Sequence, residues 1–90
     1  MRTLEVIHLR MSGDNGEGLV DLVRRAAGSP HGSPDLRIYR HARVENDLLI
    51  QLHREEPNQN EAPSDLGLRL AALLRIHGLV EHSVWVRADT

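Results

Sequence analysis

The ninety residues of this chain predict an α+β fold, a two-layer sandwich in which two helices cover one side of a four-stranded antiparallel sheet. Three observations predict it. Four short runs alternate apolar and polar residues with the period of a strand, two of them at the ends of the chain and two in its middle. Two amphipathic stretches with helical spacing separate them in the order βαββαβ. Clusters of Gly, Pro, Asn and Ser fall between the periodic stretches.

The first strand is TLEVIHLRM, Thr3 to Met11, short and rich in branched apolar residues. The turn-forming SGDNGEG follows, with Asp14 or Asn15 placed to cap a helix. In EGLVDLVRRAAG, Leu19, Leu22, Val23 and Ala26 recur at helical spacing, and Gly28 ahead of Ser29-Pro30 is a stop signal. GSPHGSP suits neither a helix nor a strand interior and reads as a loop.

Asp35 to Glu56 then reads as a hairpin. Leu36, Ile38, Ala42 and Val44 share one face of the first strand, and Leu48, Ile50 and Leu52 share one face of the second. Opposed residues lie on the same face, so the turn must bring these two sets together. A three-residue turn at Glu45-Asn46-Asp47 does so, setting Val44 against Leu48 and Ala42 against Ile50. On the other face it sets Arg37 against Glu55, Tyr39 against His53, and His41 against Gln51. Arg40 then falls on the apolar face, with its stem buried and its head at a solvent edge.

EEPNQNEAP is polar throughout and is expected to be the most mobile segment. Ser64 caps the second helix, with Asp65 favouring the positive end of its dipole. Leu66, Leu70, Leu73, Leu74 and His77 follow at helical spacing, and Gly78 closes the helix. LVEHSVWVRA ends the chain as a strand, with Val84 and Val86 on one face and Trp85 and Arg87 on the other. Right-handed crossovers over one sheet turn this order into the ferredoxin-like arrangement, strand order 4-1-3-2, with both helices on one side and the other sheet face open.

Residues 1–90 make one domain of a size that buries only about 60% of its unfolded surface, so association would add useful stability. There is one Trp, one Tyr and no Phe, so the core must be aliphatic. A net charge of −2 argues against nucleic-acid binding, which needs a basic surface. All eleven basic residues are Arg, which excludes Lys nucleophiles and Schiff bases; without Cys there are no disulfides, thiolates or Cys-bound zinc. No basic leader with an apolar run follows Met1, and no stretch is apolar enough to span a bilayer, so a soluble, cytoplasmic protein without membrane contact is expected.

The open face carries the functional expectation. Arg37, Tyr39, His41, Arg43, Leu49, Gln51, His53, Trp85 and Arg87 all fall on it, and for the first strand either Leu4-Val6-His8 or Glu5-Ile7-Leu9 could join them. Arg and aromatic residues are enriched in interfaces, so this face is read as the contact of a homodimer, against the plainer alternative of a solvated sheet. The function expected is a binding or regulatory module, with Arg37, Arg43 and Arg87 attracting a small anionic ligand and Tyr39 and Trp85 supplying contact area. No catalytic residue is assigned; the alternative is a small enzyme with His41 or His53 as acid–base. His41 and His53 lie diagonally and could share a metal with His8 or a residue of another chain, but no pair has the spacing of a recognised site, so neither metal nor cofactor is expected. GDNGEG lacks the spacing of phosphate-binding loops and is explained by helix capping.

DNGEGLVDLV, Asp14 to Val23, and LAALLRIHGLVEHSVWV, Leu70 to Val86, resemble the first-helix approach and the second-helix, Gly and final-strand run of ACT-type regulatory domains. The former has an extra residue between Asp14 and Gly18, so that family's ligand contacts are not carried over. The element order also resembles dimeric α+β barrel proteins such as antibiotic-biosynthesis-type monooxygenases, whose paired open sheets close around a pocket. Their aromatic- and His-rich helical segment has no counterpart here. Acylphosphatases share the order too, but their Gly-Gln-Gly-type loop with its Arg is missing from GDNGEG. These resemblances inform the architecture most; the barrel likeness also implies the alternative function, a small monooxygenase-like enzyme with His41 or His53 as acid–base in a pocket at the dimer interface.

Overall fold

A computed structural model describes residues 2–11, 16–28, 35–44, 46–55 and 62–89. Its elements run β1 (Arg2–Met11), α1 (Gly16–Ala27), β2 (Asp35–Arg40), β3 (Asp47–Glu55), α2 (Asp65–Arg75) and β4 (Gly78–Val86). The strands form one antiparallel sheet in the order β2-β3-β1-β4, which is the expected 4-1-3-2 read from its other edge. The proposed capping residues Asp14 and Asn15, most of GSPHGSP and most of EEPNQNEAP lie outside the described residues. Among the described residues, no helix is long and apolar enough to cross a membrane.

One aliphatic core holds the layers together. Ile7 and Leu9 of β1 and Leu48, Ile50 and Leu52 of β3 meet Leu19 and Val23 of α1 and Leu66, Leu70, Ala71 and Leu74 of α2. Both helices therefore bury their apolar stripes on the same sheet face. Ala27 packs against this cluster while Ala26 is exposed, and α2 ends at Arg75, before His77. The ambiguity of β1 resolves inward for Thr3, Glu5, Ile7 and Leu9, which are buried, and outward for Leu4, Val6 and His8.

Two glycines mark where backbone geometry leaves no alternative. Gly28 follows α1 at φ 80°, the left-handed conformation that closes a helix. Gly78 does not cap α2; Ile76 does. It opens β4 instead, where a Cβ would run into the Arg10 carbonyl oxygen of β1, so only glycine permits the strands to approach there.

The hairpin register corrects the expectation. β2 ends at Arg40, and Arg37 opposes Gln51, Tyr39 opposes Leu49 and Asp35 opposes His53. The proposed pairs Val44–Leu48, Ala42–Ile50, Arg37–Glu55, Tyr39–His53 and His41–Gln51 do not form. The His41 ring explains the early stop. Its Nδ1 accepts the backbone N–H groups of Arg43 at 3.0 Å and Val44 at 2.9 Å, which folds the chain back before those residues can join a ladder. The His41 N–H then donates to the Asp47 carbonyl, and Asp47 N–H to the Val44 carbonyl. Relative to the expected pairing, each β2 residue moves by an even number of positions, so every side chain keeps its face. Arg40 stays on the helix side and is exposed at the end of this edge strand, as expected.

Candidate functional site

The open face is ordered as rows crossing β2, β3, β1 and β4. The register sets Asp35, His53, Leu4 and Trp85 in one row. The next holds Arg37, Gln51, Val6 and Ser83, and a third holds Tyr39, Leu49, His8 and Glu81. Its middle is apolar, with Leu4, Val6 and Leu49 half-buried and uncovered by either helix. Trp85 is 61% and Tyr39 45% exposed at its two sides.

The polar side chains around this centre are bonded along their own strands. Arg37 holds Asp35 through Nη2 at 3.0 Å, His53 lies 3.0 Å from Gln51 Oε1, and Trp85 Nε1–H donates to Ser83 Oγ at 2.9 Å. His8 Nε2 is 3.1 Å from Asp47 Oδ2 across the strand pair. The hydrogen bonds to Asp35, and then to Tyr39, hold the Arg37 guanidinium above its ordinary value, so it stays cationic. The polar groups bonded in this way can be covered without being orphaned.

Of the expected site residues, Arg37, Tyr39, Gln51, His53 and Trp85 share this face. Arg87 lies just past β4, beside Arg2, whose carbonyl accepts its N–H at 3.1 Å. His41 and Arg43 are in the connection after β2, at the other end of the hairpin from His53. His41 and His53 are therefore not diagonal neighbours and share no metal position, and no group of three His, Cys, Asp or Glu side chains gathers among the described residues. An open cleft of about 360 Å³ at the sheet end, lined by Arg2, Thr3, Asp35, Arg37, His53, Arg54 and Glu55, brings Arg37 and His53 together with residues not anticipated.

A second constellation lies on the helix side. Glu5 is 0% exposed, yet its carboxylate has partners from three elements. Ser64, the N-cap of α2, donates its Oγ–H at 2.7 Å and its N–H at 3.2 Å to Oε1. His82 Nε2 of β4 lies 2.5 Å from Oε2, and Arg54 Nε of β3 lies 3.8 Å from Oε1. The Ser64 hydroxyl also accepts the Gly67 N–H at 2.9 Å, so the carboxylate sits at the positive end of α2. A Cβ at Gly67 would collide with this carboxylate. Ser, His and Glu types meet here without forming a nucleophile–base pair, because Ser64 and His82 bind opposite oxygens of one buried acid. The group is a latch between helix and sheet. Its signal in the sequence is Glu5 within an apolar alternation, matched by a glycine inside an amphipathic helix.

Together these features define an α+β domain with a two-layer build and one bare sheet face. Comparisons of the chain with protein-family models, with curated proteins and with solved structures found no match.

Proposed function

We propose that this chain is a non-catalytic binding or regulatory module that self-associates through its open sheet face, of the kind ACT-type domains exemplify, and takes a small anionic ligand. The observation that carries this reading is the uncovered apolar centre of Leu4, Val6 and Leu49 flanked by exposed Trp85. Apolar surface of this kind, rimmed by polar groups, is characteristic of an interaction site. A second copy suits it because the face is balanced in charge. Arg2, Arg10, Arg37 and Arg87 are matched by Asp35, Asp47, Glu55 and Glu81, whereas a face of one sign would repel itself. Four strands and five rows cover roughly 20 by 30 Å, compatible with a standard interface of about 800 Å² per partner.

The cleft supports the ligand part of the reading, with Arg2 and Arg37 as cations and Asp35 and Glu55 setting an upper limit on the charge it accepts. Neither Arg43 nor Arg87 lines this cleft, and both drop out of the ligand set. The enzyme alternative is less well supported, since His41 Nδ1 is committed to two backbone amides and His53 to Gln51.

Molar mass by light scattering tests the proposal. Trp85→Glu is expected to halve the molar mass of the wild-type assembly while the chain stays folded, because the charge would be buried unpaired at the side of the face contact. A wild-type monomer at every concentration removes the self-association, leaving the face to a different protein.

A further inference from the structure

We infer that the outer edge of β4 is a pairing surface for a second copy of this chain, joining two sheets into one continuous eight-stranded sheet. β4 is nine residues long, stands at the end of the strand order, and has nothing paired to its outer side among the described residues. It contains neither Pro nor Lys, the residues that ordinarily blunt an edge. The Arg87 N–H donates to the Arg2 carbonyl, which makes these two a hydrogen-bonded pair of the ladder. The alternation of an antiparallel ladder then turns the N–H and C=O groups of Val80, His82, Val84 and Val86 away from β1, toward the free edge.

Side-chain charge selects one register. A two-fold axis through Val84 sets Val84 against its own copy and His82 against Val86, so the facing residues are those with free backbone groups. On the open face the same axis sets Glu81 against Arg87, twice by symmetry. Glu81 is exposed and has no ion pair among the described residues, and Arg87 holds only the exposed Asp89, at 2.6 Å. An axis at Ser83 would instead face Arg87 with Leu79 and Glu81 with Trp85, and one at His82 would face Glu81 with Ser83; neither pairs the charges. Opposed unlike charges favour the Val84 register. The joined sheet leaves its open face bare, so this contact is independent of the face-to-face association proposed above.

Amide hydrogen exchange of the full chain across a range of concentrations tests it. The amides of His82, Val84 and Val86 have no partner within one chain in this ladder, and are expected to slow tenfold or more as dimer forms. Glu81→Arg and Arg87→Glu should each abolish that protection, and the double variant should restore it, because the exchange of charges recreates both pairs. Fast exchange of these three amides in a wild-type dimer overturns edge pairing while leaving face association standing. A double variant that stays folded but does not recover protection overturns the register.

Discussion

Gly67→Ala is expected to lower the melting temperature by at least about 10 °C, although alanine is the better helix former by roughly 1 kcal/mol. The added Cβ would occupy the space of both Glu5 oxygens. That carboxylate cannot step aside, because Ser64 holds it from α2 by two bonds while His82 and Arg54 hold it from neighbouring strands. Either the N-terminal turn of α2 lifts from the sheet or the carboxylate loses its partners. Overpacking alone costs about 1–3 kcal/mol, and a broken buried pair about 3–5. A domain of this length holds on the order of 5–13 kcal/mol in total. A loss near 3 kcal/mol corresponds to roughly 12–24 °C. Thermal unfolding followed by far-UV circular dichroism checks this, and an unchanged or higher melting temperature would mean that α2 does not rest on Glu5.

Glu5→Gln isolates the charge from the shape. The amide oxygen still accepts the two Ser64 bonds, but the negative charge toward which His82 and Arg54 converge is gone. Removing one member of a buried ionic group costs about 3–5 kcal/mol, because the remaining members stay desolvated. Urea unfolding should show a lower midpoint with an unchanged slope, since the surface exposed on unfolding is the same. His82→Gln added to Glu5→Gln should cost much less than it does in the wild type, the non-additivity expected of residues in one network. Full additivity would show that His82 and Glu5 do not interact.

The element order, the sheet order, the Ser64 cap and the Gly28 stop were legible because each rests on local chemistry or on a short period. What was hidden depends on distant partners. Leu4-Val6-His8 and Glu5-Ile7-Leu9 each offer two apolar residues and one polar, so periodicity cannot rank them. The inward choice is decided by Ser64 and His82, 59 and 77 positions along the chain. Arg37, Tyr39, Gln51, His53 and Trp85 share a face because period-two alternation survives an even slip of register. His41 and Arg43 left that face because an imidazole nitrogen captured two amides, a competition between side chain and ladder that hydrophobic patterning does not record.

The aliphatic core has an optical consequence. Both aromatic chromophores of the chain, Tyr39 and Trp85, stand on the bare sheet face, and none reports from the interior. The indole meets water in the isolated folded chain and in the unfolded one alike, so its emission should barely register unfolding. Covering the face would shift that emission to the blue while the backbone signal stayed constant. Intrinsic fluorescence of this protein would thus report the covering of that face, and be nearly blind to the folding transition that the same measurement tracks in most proteins.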